Sequence, residues 1–254
     1  MPLLEVDNLT RRFGGLSAVS DLSFAVEEGE IRGLIGPNGA GKTTTFNVIT
    51  GFYHPTSGRI LYRGEDISRL STNQIARRGL VRTFQHTTLF QEFTAFKNVL
   101  VGCHLHARVS PLGAIFGAGH AAEREIEDRA REILAFMGLA ERRDELAAEL
   151  PHGLQRALGV AVALAADPKV LLLDEPFTGM NPEETRRMME LVRRVRERGV
   201  TLLLVEHDMQ AVMGLCDRIT VLNFGRLLTE GTPEEVRNHP DVIEAYLGTA
   251  SDVA

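Results

Sequence analysis

The run Gly36-Pro37-Asn38-Gly39-Ala40-Gly41-Lys42-Thr43 follows the pattern G-x-x-x-x-G-K-[ST]. In that pattern the glycines let the backbone curl until successive N–H groups converge on an anion. Lys42 is placed to reach the β- and γ-phosphates of a nucleotide as a point charge, and the Thr43 hydroxyl suits Mg²⁺. Thr44 continues into a helix whose N-terminal dipole favours the same anion. Much later in the chain, Val170-Leu171-Leu172-Leu173 delivers two adjacent carboxylates, Asp174 and Glu175, followed by Pro176. Asp174 suits a Mg²⁺ held through its waters, and Glu175 suits the orientation and deprotonation of a water molecule. His207 follows the apolar run Thr201 to Val205, and Gln85 follows Val81 to Phe84. Both also have plainer readings: a lone histidine is more often structural, and Gln85 could be an ordinary loop residue.

These groups need elements that bring them to one place. Glu30 to Ile35 reads as a buried strand entering the glycine-rich loop, and Thr44 to Ile49 as the start of the helix leaving it. Val170 to Leu173 and Thr201 to Val205 are continuous apolar runs, as strands buried on both faces are. In open α/β sheets ligands bind beyond the C-terminal ends of such strands. Ahead of the loop, Leu3 to Leu9 and Leu22 to Val26 alternate apolar and polar, predicting a small β-layer. Phe13 lies between those two runs; it is either a core residue or a ring that stacks on a nucleotide base.

Further on, Gly58 to Arg63 reads as a strand. Ser71-Thr72-Asn73-Gln74 is a capping box, predicting a helix over Thr72 to Arg78 stopped by Gly79. Between about 86 and 165 strand patterning gives way to helical patterning, clearest from Glu123 to Met137. Inside it, Ser110 to Ala122 is unusually apolar for a loop and either packs locally or docks on a partner. His104 and His106 have no further ligand-type residues at useful spacing, so no metal site is expected there. Pro151 suits the first turn of an Ala-rich helix. Asn181 and Thr232 cap two later helices, each with Pro at the first position and Glu three after the cap. Arg218 to Asn223 and Arg226 to Glu230 read as a hairpin across Phe224-Gly225.

Composition sets the outer bounds. The 254 residues are 44% hydrophobic and 24% charged, an ordinary globular balance. A net charge of −6 argues against a broad nucleic-acid footprint. Two cysteines, Cys103 and Cys216, give no disulfide framework. The N-terminal residues carry no basic region or long apolar run, so no signal peptide is expected, and the apolar stretch Ala157 to Ala166 is too short to span a membrane. The residues alone therefore describe a Mg²⁺-dependent nucleoside triphosphatase with a helical insertion. They do not say what the hydrolysis drives.

The ordered set Gly36 to Thr43, Gln85, the segment at 150 to 156, Asp174-Glu175-Pro176 and His207 resembles the nucleotide-binding subunits of ATP-binding cassette (ABC) transporters over nearly the whole length. The resemblance implies an α/β fold: a phosphate-loop NTPase core with a mostly parallel sheet, an N-terminal antiparallel β-layer and an inserted helical subdomain. It implies one domain over 1–254, with the core at about 1–85 and 167–254 and the helical part at about 86–166. Phe13 would then stack on adenine. Gln85 would contact Mg²⁺ and link the site to the membrane subunit. Glu175 would be the base, and His207 would hold the γ-phosphate and the attacking water. Two cassettes would pair head to tail around ATP. The expected partners are a second ATPase subunit, membrane permeases and, indirectly, an extracytoplasmic binding protein, with no nucleic acid. The expected location is peripheral, at the cytoplasmic face of the plasma (inner) membrane, the isolated chain being soluble.

Val81 to Gln85, Phe90 to Thr94, Asn98 to Gly102, Gly179 to Pro182, Val205 to Met209 and the tail from Pro233 to Gly248 are similar to the ATPase subunits of branched-chain, or hydrophobic, amino-acid importers, and the length of the helical insert, with its apolar loop, resembles the larger of their two ATPases. One segment departs from the wider family. The usual signature is Leu-Ser-Gly-Gly-Gln, whereas this chain has Leu150-Pro151-His152-Gly153-Leu154, followed by Gln155. The missing serine hydroxyl would weaken the ATP site built on the partner's phosphate loop. One competent site and one doubtful site are therefore expected in a heterodimer. Urea, amide or lipid systems share this kind of cassette, and a largely regulatory nucleotide-binding half is a further alternative. A soluble switch in DNA repair or translation would bring tandem cassettes or long coiled coils, which this sequence lacks.

Overall fold

The computed structural model describes residues 2–83, 89–103 and 118–247, of which 118–122 and 247 are described by backbone alone. Gln85, His104, His106 and most of the apolar stretch from Ser110 to Ala122 therefore lie outside the described residues.

Two sheets are formed among the described residues. The first is antiparallel, of order β2-β1-β4-β5, built from β1 (Leu4–Phe13), β2 (Leu16–Val26), β4 (Ser57–Tyr62) and β5 (Glu65–Asp66). The second has the order β10-β9-β3-β8-β7-β6. Its strands are β3 (Ile31–Ile35), β6 (Leu80–Arg82), β7 (Val170–Asp174), β8 (Thr201–Val205), β9 (Arg218–Asn223) and β10 (Arg226–Gly231). All its pairings are parallel except the terminal β9–β10 hairpin. This is the α/β arrangement expected from the sequence.

The apolar runs of the second sheet divide between two cores because side chains alternate across a strand. Ile31, Ile35, Leu171, Leu173, Leu202, Leu204, Ile219 and Val221 face the helices Ala95–Cys103, Ala118–Phe136, His152–Ala165 and Pro182–Glu197. Leu34, Leu172, Leu203, Val205 and Leu222 face the antiparallel layer and the helix Lys42–Ile49, which contributes Phe46 and Ile49. The 95–165 helices thus share one continuous apolar core with the sheet rather than enclosing one of their own. Each large side chain so buried contributes roughly 1.5–3 kcal/mol.

Several element boundaries differ from the sequence reading. β1 and β2 run on to meet at Phe13↔Leu16, across a turn at Gly14-Gly15. Register shifts between Val6 and Arg12 break the period-two pattern there, so the outer half of the hairpin is invisible to alternation. Phe13 is consequently a strand residue rather than part of a linker. The helix after the glycine-rich loop begins at Lys42, earlier than the Thr44 expected. The capping box at Ser71 forms as read, although the helix ends at Ala76. Pro151 stands just outside the first turn, and its carbonyl accepts the N–H groups of Leu154 at 2.9 Å and Gln155 at 3.0 Å.

The helix that begins after Pro151 is fixed by close packing on Ala95–Cys103. A Cβ added at Gly102 would lie 2.3 Å from the Val162 carbonyl oxygen and 2.8 Å from the Ala165 Cβ. Gly102→Ala must therefore push these helices apart, at an expected loss of about 1–3 kcal/mol. A thermal unfolding midpoint equal to that of the unmutated chain would show that the two helices do not approach this closely.

Candidate functional site

The strand order places three of the expected motifs on three consecutive strands. β3 enters the glycine-rich loop, β8 leads to His207, and β7, with β6 beside it, ends in Asp174. The parallel direction brings their C-terminal ends to one edge.

The loop itself is held by its glycines and by the β9–β10 hairpin. Gly36 sits at φ 152°, and a Cβ there would come within 2.2 Å of the Leu222 carbonyl oxygen. Ala40 donates its N–H to the Pro37 carbonyl at 3.1 Å, and Gly225 donates to the Ala40 carbonyl at 3.1 Å. Gly41 precedes the helix at φ 99°, and no side chain caps that helix start. Its first-turn N–H groups therefore lack a side-chain acceptor, as an anion site requires. Lys42 folds back over the loop, donating to the Gly36 carbonyl at 2.6 Å and the Pro37 carbonyl at 3.0 Å. Burial lowers the Lys42 pKa from its ordinary value, and the nearby Glu175 carboxylate acts in the opposite direction.

A cleft of about 370 Å³ lies over the loop, lined by Asn38, Gly39, Ala40, Gly41, Lys42, Thr43 and Thr44, with Glu175 on its wall. Glu175 adopts a left-handed backbone, φ 48°, uncommon for a residue with a Cβ. Its N–H donates to the Val205 carbonyl at 2.9 Å, and its carboxylate accepts the Thr178 hydroxyl at 3.2 Å. The strand exit is thereby turned so that one acid faces the phosphate loop while its neighbour stays inside.

That neighbour, Asp174, is buried. One of its oxygens accepts from the Arg82 guanidinium, which also donates to Asn47 on the phosphate-loop helix at 2.6 Å. The other oxygen, Oδ1, is buried without a hydrogen-bond partner. The unsatisfied Asp174 oxygen, on a carboxylate tied through Arg82 to Asn47 of the helix that carries Thr43, offers with the Thr43 hydroxyl all-oxygen donors of the kind Mg²⁺ takes. Among the described residues no group of three or more His, Cys, Asp or Glu could hold a metal alone.

The remaining expected residues are placed as follows. His207 is exposed, 3.7 Å from the buried carboxylate of Glu206. Phe13 is 39% exposed and stands outside the cleft lining, edge-on to Tyr53 at 5.1 Å with the Arg11 guanidinium 4.5 Å from its centroid. In the segment 150–155, Leu150 is buried, Pro151 and His152 are exposed, and Gly153, Leu154 and Gln155 are half-buried. Gln155 donates to the Leu150 carbonyl at 2.9 Å. The His152 ring lies against Gly179, and Gly153 against Glu184. None of these six residues lines the cleft over this chain's own phosphate loop.

Sequence reasoning missed two residues, Arg82 and Glu206. The signal for each was a charge set at the edge of an apolar strand, where an unpaired ion would be costly.

Residues 19–178 match the family model described as ABC transporter, and residues 226–252 match one described as branched-chain amino acid ATP-binding cassette transporter. The chain is 48% identical to the high-affinity branched-chain amino acid transport ATP-binding protein BraF of Pseudomonas aeruginosa, covering 98% of this chain and 99% of that one. It is 47% identical to the corresponding LivG of Escherichia coli over the same shares. A crystal structure of a nucleotide-free ATP-binding cassette from an ABC transporter superposes with a TM-score of 0.86 at 32% identity, covering 98% of this chain and all of that one.

Proposed function

This chain belongs to the ABC transporter family as one of its ATP-binding ATPase subunits, and from that premise we propose that it powers the uptake of branched-chain or other hydrophobic amino acids. The hydrolytic part of the reading is carried by one observation: Glu175 shares a cleft with Asn38 to Thr44 of the phosphate loop, Lys42 included. The substrate class is supported by the match over 226–252 and by the near full-length identity to BraF and LivG.

In this reading the loop N–H groups and Lys42 grip the β- and γ-phosphates, and Glu175 orients the attacking water and takes its proton. His207 holds the γ-phosphate and that water from the adjacent strand exit. Thr43, Asp174 and Gln85 would hold Mg²⁺, which when bound neutralises charge on the phosphates. Phe13 supplies the face for adenine. Leu150 to Gln155 act on the ATP bound by a second ATPase subunit paired head to tail, where Pro151 and His152 make that site the weaker of the two.

The chain works as one ABC ATPase domain, with a core at about 1–85 and 167–254 and a helical part at about 86–166. Among the described residues no helix is long and apolar enough to cross a membrane. The crossing therefore falls to permease subunits, with this chain peripheral at the cytoplasmic face and an extracytoplasmic binding protein delivering substrate.

The test is reconstitution with the partner ATPase and permeases in lipid vesicles. Leucine uptake that requires both ATP and Mg²⁺ is the expected result. ATP-driven uptake of urea or an amide without leucine would replace the substrate assignment. Nucleotide binding without any driven uptake would favour a regulatory half.

A further inference from the structure

The chemistry above makes no use of the most deeply buried acid near the site. Glu206 follows β8 and immediately precedes His207, and only 1% of it is exposed. Its Oε1 accepts the Phe177 N–H at 2.8 Å, while Oε2 accepts the N–H groups of His207 at 3.0 Å and Asp208 at 3.4 Å. Phe177 lies two residues beyond Glu175 and is itself buried. One carboxylate therefore spans two different turns, the one that presents Glu175 and the one that presents His207.

The surroundings make this span stiff. The Glu175 N–H already donates to the Val205 carbonyl at 2.9 Å, so the two strand exits are tied once through backbone and again through Glu206. Asp208 caps the helix Met209–Leu215, accepting from Gln210 at 2.9 Å and Ala211 at 3.1 Å, which anchors the far side of the His207 turn. Burial raises the Glu206 pKa above the ordinary carboxylate value, and its three N–H donors act in the opposite direction. A buried acid that accepts three backbone N–H groups at once, where an apolar side chain would fill the space, is fitted to hold geometry rather than volume.

We propose that Glu206 is a positioning residue for ATP hydrolysis: its carboxylate fixes the separation of the Glu175 turn from the His207 turn, so that both side chains meet the same water. The proposal rests on the roles given above to Glu175 and His207. Glu206→Gln is the direct probe. An amide has one acceptor oxygen, so it can serve Phe177 or the His207–Asp208 pair but not both, and its NH₂ must face an N–H donor.

The experiment measures ATPase kinetics of the reconstituted complex carrying Glu206→Gln, Glu206→Asp, Glu175→Gln or His207→Ala, with ATP affinity measured on each. Glu206→Gln is expected to lower kcat roughly 10–100-fold with KM and ATP affinity within about twofold, the split that marks loss of alignment rather than of binding. Glu206→Asp, which keeps both acceptors, is expected to recover part of the rate. A Glu206→Gln complex with unchanged kcat, or with KM rising in step with any loss, overturns the proposal.

If Glu175→Gln and His207→Ala also leave turnover unchanged, the underlying reading of the site fails instead. Should Glu206→Gln not fold, hydrogen exchange in the unmutated chain decides. Phe177 and His207 amides that open together support the strut, and amides that open independently overturn it.

Discussion

Glu175→Gln is expected to reduce ATP turnover of the assembled transporter roughly 10²–10⁴-fold, the range lost with a general base, while ATP binding persists. The substitution preserves shape and can keep the contact with Thr178, but an amide cannot accept the water's proton. Binding persists because it depends on other groups: the loop N–H donors and Lys42 remain as they are. The left-handed backbone at Glu175 strengthens the expectation. A residue with a side chain held at φ 48° costs of order 1–3 kcal/mol, and here the tie to the Val205 carbonyl enforces it. Turnover that survives Glu175→Gln would move hydrolysis to the ATP held on the partner's phosphate loop. The assignment of competent and doubtful sites would then be reversed, leaving this chain a regulatory half.

Arg82→Met is expected to destabilise the chain by about 3–5 kcal/mol, the usual cost of removing one member of a buried ion pair. The side chains of Arg82 and Asp174 are only 10% and 1% exposed. Without the guanidinium, Asp174 would keep a charge with one oxygen newly unpaired and the other already lacking a partner. Asn47 would lose its donor as well. Pairing the change with Asp174→Asn removes the uncompensated charge and is expected to recover most of the loss, a coupling a double-mutant cycle resolves. Denaturant unfolding of the four proteins checks it. An Arg82→Met chain as stable as the parent, or a double mutant no better than the single, would show that the pair contributes nothing.

What the sequence disclosed and what it hid divide along a physical line. The capping boxes at Ser71, Asn181 and Thr232 and the β9–β10 hairpin are local: each closes its own hydrogen bonds within a few residues, so spacing alone reveals them. The glycine-rich loop is legible from its residue types, although the distant hairpin helps to hold it. The central strands were legible for another reason. Burial on both faces leaves Leu171 to Leu173 and Leu202 to Leu204 uninterrupted by polar residues.

Long-range pairs left only a charge at the end of an apolar run, with nothing beside it to name its partner. Arg82 reads as an ordinary charge until its partner, 92 residues away, is known. Glu206 reads as a solvent-facing acid beside a histidine, because nothing in Val205-Glu206-His207 announces that the Phe177 N–H will reach it. The outer half of the β1–β2 hairpin was hidden by bulges, and the contact of His152 with Gly179 depends on how a helix and a later loop are packed.

The place of β3 in its sheet also bears on how the chain is made. The strand that feeds the phosphate loop is flanked by β8 and β9, its residues Ile31 to Ile35 pairing with Leu202 to Val205 and Arg218 to Val221. During synthesis the loop sequence emerges early, but both neighbours that hold it belong to the last quarter of the chain. The antiparallel layer, whose partners are near in sequence, can form meanwhile. A nascent chain therefore carries the nucleotide-binding sequence through most of translation without the sheet that shapes it, and nucleotide capture becomes a late event of biogenesis that reports completed folding.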